Sequence, residues 1–236
     1  MTRFGLDSSH MRWFTAVAGV TFVVLVFIAF LIDQGPSDDA SGPAQFAYYL
    51  THHSDLEWQA VLSGMGGLGF LFFFASLAAQ AWSRDERSTP FAFAVLLTAA
   101  ATAVFFSIGV VAPLVLAHCG CDPSVDQGRE VTLSFLLFRD LGDEASVFTG
   151  FPASALIASA GAAIVMTGWV KTWIGWLAFP FAVLILLSAV LQEVSEEFDT
   201  LGDFSLLLFL GWVLLAAGAS LVITGKGAEE TVPVAV

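Results

Sequence analysis

The stretch Trp13–Ile32, WFTAVAGVTFVVLVFIAFLI, runs for 20 residues without a charged side chain. A helix rises about 1.5 Å per residue, so this segment reaches about 30 Å, the thickness of a bilayer's hydrocarbon core. Working outward, five more stretches have the same character: Trp58–Trp82, Phe91–Leu116, Ala145–Val170, Trp173–Leu191 and Phe204–Thr224. All 8 Lys+Arg and all 21 Asp+Glu of the 236-residue chain fall outside these six segments. Hydrocarbon offers the backbone no water, so each segment must be a helix or part of a closed barrel, and the lack of period-2 alternation selects helices. The expected fold is all-α: a single transmembrane domain over residues 1–236, built as an integral membrane bundle of six transmembrane helices.

Composition agrees. Hydrophobic residues make up 57% of the chain and charged ones 12%, against about 25% charged in a soluble domain. A net charge of −13 also excludes a nucleic-acid binder, which needs cations to displace the counterions of phosphate. The partners implied are the lipid bilayer and other membrane protein subunits, with no nucleic acid.

Six spans put Arg3, Arg12, Arg84, Arg87, Lys171 and Lys226 on one face and Arg129 and Arg139 on the other. Cytoplasmic loops are enriched in Lys and Arg, so both termini are expected in the cytoplasm of a multi-pass plasma-membrane protein. Trp13, Trp82, Trp169 and Trp173 then fall at the inner boundary and Trp58 at the outer one. The first span is expected to persist rather than be cleaved. Its apolar run exceeds the about 7–15 residues of a signal peptide, and Ile32-Asp33-Gln34 lacks a small-x-small cleavage site.

Between spans, Pro43–Asp55 carries Phe46 and Leu50 at i, i+4 with Tyr49 between them. This predicts an interfacial amphipathic segment before the second span, with its tyrosines at headgroup level. In the fourth span Gly150, Ser154, Ala158 and Ala162 recur every fourth residue, a face that admits close helix approach. Ser63–Gly69 (SGMGGLG) is read the same way, as packing rather than phosphate cradling. Pro113, Pro152 and Pro180 are expected to kink their helices.

The outer loops are acidic, with five carboxylates between residues 33 and 57, six between 122 and 144, and five between 193 and 203. This asymmetry points to the external milieu, to a cationic partner, or simply to hydrated loops. The densest cluster is Glu193, Glu196, Glu197 and Asp199, where each carboxylate opposes the helix dipole by about 0.3–1 kcal/mol. Arg129 and Arg139, a bound Ca²⁺, or hydration alone would offset it.

Both cysteines lie in His118-Cys119-Gly120-Cys121. In an oxidising compartment a Cys119–Cys121 disulfide fits, with the intervening glycine closing the small ring. Free thiols remain an alternative. So does a soft metal site for Cu(I) or Zn²⁺ formed by His118, Cys119 and Cys121 with His52 or His53. The Cys-x-x-Cys-His of c-type haem attachment is absent.

The spans hold no ionisable group, which argues against proton relays and voltage sensors. Retinal attachment needs a lysine within a helix, and the chain has only Lys171 and Lys226. Haem bridging inside the bundle needs an intramembrane histidine, and there is none. Walker, nucleophile-elbow and metalloprotease motifs are missing. No catalytic residue and no cofactor is assigned.

Ala44–His53 (AQFAYYLTHH) leads into a glycine-rich helix carrying Phe70–Leu77 (FLFFFASL), and Trp173–Leu177 (WIGWL) follows later. In these runs and in its layout over residues 10–225, the chain resembles a loosely related group of uncharacterised bacterial multi-pass membrane proteins. The resemblance implies a compact helical bundle and no established activity. Neither the His-Cys-Gly-Cys segment nor the acidic third outer loop is part of that pattern. The expected function is non-catalytic, as an accessory or scaffold subunit of a larger membrane assembly. One alternative is an external metal- or redox-responsive membrane protein using the His-Cys-Gly-Cys loop. Another is a carrier for a small lipophilic molecule or quinone, through a neutral cavity lined by Ser63, Gln80 and Ser107.

Overall fold

A computed structural model describes residues 8–32, 35, 42–119, 129–194 and 200–222. Seven α-helices account for nearly all of them: α1 (Ser8–Ile32), α2 (Gly42–Thr51), α3 (His53–Arg84), α4 (Thr89–Cys119), α5 (Arg129–Thr167), α6 (Thr172–Val194) and α7 (Thr200–Val222). All but the short α2 are long and apolar enough to cross a membrane, and no strand occurs among the described residues. The protein is therefore all-helical with six membrane-spanning-capable helices.

Helix ends follow local chemistry more than hydropathy. After Arg84 the backbone of Asp85 turns extended, and its carboxylate accepts from the Arg87 amide (2.9 Å), capping a 3₁₀ turn at Glu86–Ser88. Buried Ser88 donates back to the Ala81 carbonyl (2.7 Å), holding this connection against α3. Helix α5 stops at Gly168, whose φ of +56° is a left-handed conformation open to glycine at no steric cost. The fourth span was expected to reach Val170, but Trp169 and Val170 lie in this turn and are buried. At its other end α5 begins at Arg129 rather than Ala145. A hydropathy reading stops where charge appears at Arg139–Glu144, although charge by itself does not end a helix and Arg139 lies 3.4 Å from Asp143 one turn on.

The six long helices close into a ring: α1 packs on α3, α3 on α4, α4 on α5, α5 on α6, α6 on α7, and α7 on α1. Helix α5 also reaches α3 and α7. The core includes an aromatic cluster in which Phe22 of α1 meets Phe70 of α3 edge-on at 5.3 Å, and Phe209 of α7 lies 6.1 Å from both. Phe73, Phe74, Leu156, Ile157 and Trp212 are essentially inaccessible in the same core.

Glycines set how closely the helices approach. A Cβ on Gly161 would collide with the Ala178 side chain and lie 2.7 Å from the Gly175 carbonyl, while one on Gly150 would sit 2.7 Å from the Ala189 Cβ. The α5–α6 contact thus includes Gly150, one of the small residues singled out by spacing, and also Gly161, which that spacing leaves out. From Gly150 to Gly161 is 11 residues, close to three turns of a helix of about 3.6 residues per turn, so both glycines lie near one line along α5. In Ser63–Gly69, Gly66 and Gly69 face α1, and a Cβ on Gly69 would come within 3.0 Å of the Ala18 carbonyl; Gly64 and Gly67 meet open space.

Gly161→Ala is expected to destabilise the bundle by about 1–3 kcal/mol, since backbone and Cβ atoms cannot step aside as a flexible side chain can. Gly64→Ala has room and better helix propensity, and should hold or slightly raise the midpoint. Thermal unfolding of the two variants in one detergent checks the contrast.

Candidate functional site

Two groups of polar side chains lie at opposite ends of the ring. At one end, the last turn of α4 brings His118 to the first turns of α3. Its Nε2 is 3.3 Å from the Glu57 carboxylate, and its Nδ1 is 3.0 Å from the Leu114 carbonyl. Both neighbours are acceptors, and a neutral imidazole carries one N–H, so which of the two contacts is a hydrogen bond depends on the tautomer. Both side chains are exposed, so the contact contributes at most about 1 kcal/mol. In sequence Glu57 is one of five carboxylates between residues 33 and 57. Nothing in its local sequence connects it to His118, because the pairing depends on α3 and α4 lying antiparallel.

His52 belongs to the joint between α2 and α3. Its ring stacks on Tyr48 at 4.1 Å, with Nδ1 3.0 Å from Thr51 Oγ1 and 3.1 Å from the Tyr48 carbonyl. His53 starts α3 and is exposed. The short α2 rests against α4 and α3, and Tyr49 is buried. Among the described residues no three His, Cys, Asp or Glu side chains converge as metal ligands. The Cys119 side chain and all of Cys121 lie outside the described residues, so the disulfide, thiol and metal alternatives fall there too.

Of the acidic cluster, Glu193 is exposed on the last turn of α6, while Glu196, Glu197 and Asp199 lie outside the described residues. Arg139, considered as a partner for that cluster, lies 3.4 Å from Asp143 and 3.9 Å from Asp140 on its own helix. The end of α6 is tied to the start of α7 by Ser188, which donates to the Leu201 carbonyl (2.8 Å) and accepts from Gln192 Nε2 (2.8 Å).

At the opposite end, α1 and α3 bury a polar network. Gln80 Nε2 donates to Thr15 Oγ1 (2.7 Å), Thr15 Oγ1 lies 2.8 Å from Ser76 Oγ, and Ser76 donates to the Phe73 carbonyl (2.8 Å). All three side chains are buried. Ser63 is buried as well, whereas Ser107 is exposed on α4 and bonds back to the Ala103 carbonyl (2.7 Å). Trp13, Trp82 and Trp173 face outward, as an interfacial belt requires; Trp169 instead turns into the core, carried there by the chain reversal at Gly168.

Thr15→Val and Gln80→Leu should each lower stability. A double-mutant cycle on unfolding in detergent should return a coupling of about 0.6 kcal/mol, the usual value for an interhelical hydrogen bond in a membrane protein.

The chain matches no protein-family model, no curated protein and no solved structure.

Proposed function

We propose that this is a non-catalytic plasma-membrane protein that acts by association, as an accessory or scaffold subunit of a larger membrane assembly. The observation that carries this reading is the uneven covering of the helices. In its most apolar stretch α4 is only 17% buried within the bundle, against 39–44% for the other five long helices. Its outward face presents Phe93, Leu97, Ala100, Val104, Ser107 and Val111, at alternating steps of four and three residues that form one continuous stripe. Small residues at Ala100 and Ser107 leave notches between larger ones, the relief that lets a neighbouring helix gain dispersion contacts that lipid tails supply less well.

In this reading both termini are cytoplasmic, as the positive-inside asymmetry implies. Helix α2 lies at the outer surface, with Tyr49 turned in against the bundle and Tyr48 nearer the headgroups, and the acidic outer loops offer a surface for docking. Spans without ionisable groups suit a protein whose work is done by its surface.

Mild-detergent extraction followed by native gels and mass spectrometry should find the protein in a species heavier than one protomer. Ala100→Trp with Ser107→Trp should break that species down without shifting the unfolding midpoint, since both residues point away from the core. Migration only as a lone protomer would overturn the proposal. Labelling that found the two tails on opposite membrane surfaces would overturn the orientation.

A further inference from the structure

The hydrogen bonds of Thr15 to Ser76 and Gln80 set the register of α1 against α3. Arg12 lies one turn before Thr15, and Arg84 one turn beyond Gln80. Because the helices run antiparallel, both guanidinium groups arrive at the same level of the bundle end, close enough to repel one another. Among the described residues, neither has a carboxylate within ion-pair distance. Asp85, next to Arg84 in sequence, is turned onto the Arg87 amide. Arg12 Nε is buried and has no acceptor among the described residues.

Two like charges held together, one with a buried donor unsatisfied, make a local cost that a single anion removes. The cost is confined to that Nε, since Arg12 as a whole is part-buried and Arg84 is exposed, which leaves the remaining guanidinium nitrogens open to an incoming acceptor. A phosphate group offers several acceptor oxygens and negative charge, and its geometry matches the planar fork of arginine. The depth suits it too. Trp13, beside Arg12, and Trp82, two residues before Arg84, both face outward with more than half their surface exposed, as tryptophans do at headgroup level.

We propose that Arg12 and Arg84 form a two-arginine clamp for a phosphate group at this end of the bundle. The group comes either from an anionic phospholipid headgroup or from free phosphate. The polar network of Thr15, Ser76 and Gln80 is the floor that keeps the two helices in register beneath it. The clamp does not depend on the protein's association with other subunits.

The full chain is purified in a neutral detergent and stripped of lipid, and three probes are added separately: phosphatidylglycerol, phosphatidylcholine and sodium phosphate. Binding is read by native mass spectrometry and by the rise in unfolding midpoint. Phosphatidylglycerol should bind and stabilise the wild type more than phosphatidylcholine does. Arg12→Gln/Arg84→Gln should weaken that binding by about tenfold or more, on the scale of lost charge-assisted hydrogen bonds. Lys171→Gln, which removes an exposed cation from the same bundle end, should leave it unchanged. Equal protection by sodium phosphate makes free phosphate the ligand; protection by phosphatidylglycerol alone makes it the lipid. Arg12→Lys/Arg84→Lys keeps the charge without the fork and should bind at an intermediate level, which gives a reading even if the glutamine pair fails to fold. Phosphatidylglycerol and phosphate binding equally to the wild type and to both arginine double variants, or falling as far in Lys171→Gln, would overturn the clamp.

Discussion

Inside hydrocarbon every peptide N–H and C=O must be satisfied by the protein itself, because an unpaired group costs several kcal/mol and no water is at hand. The architecture depends on that constraint. It forces each apolar stretch into a helix and excludes charge from the stretches themselves. What remains is the question of how six cylinders pack. Lipid tails are as apolar as leucine, so burial alone does not draw helices together. Association comes instead from close fit, and the close fits here are at Gly150, Gly161 and Gly175 between α5 and α6, and at Gly66 and Gly69 between α3 and α1. The ring closes through α7, whose Phe209 and Trp212 fill the space that α1 and α6 leave between them.

The same constraint distributes the polar groups. Thr15, Ser76 and Gln80 are admitted to the interior only because each satisfies another or a backbone carbonyl. At the other end, His118 and Glu57 face water and meet as an exposed pair. The two ends therefore differ in kind. One is a buried, directional network with a pair of arginines above it; the other is an open, mostly acidic rim.

Much of this was legible in the chain. The absence of charge over some twenty residues, six times over, is a signal that tertiary context rarely overrides, and the six long helices follow it. The details that escaped are those where another principle competes with hydropathy. Helix α5 runs on through Arg139 and Asp143, an i, i+4 pair, because charge ends a membrane-length window without ending a helix. Trp169 looked like a boundary tryptophan, yet the left-handed turn at Gly168 sends it inward. Spacing picked out Gly150 on α5 but not Gly161, which lies 11 residues, about three turns, further along the same helix.

By itself, the sequence determined the solvent of this protein, the number of its long helices and their all-α character, because those follow from the free energy of placing each residue type in oil. It also marked the residue types available for chemistry. Only the tertiary structure decided which of them meet. That Glu57 touches His118, that Gln80 reaches Thr15 across 65 positions of chain, that Arg84 comes level with Arg12, and that α4 is left the least covered helix all depend on helix register and neighbour order. Those are settled by glycine-scale differences in packing between distant segments, and no local pattern encodes such pairings.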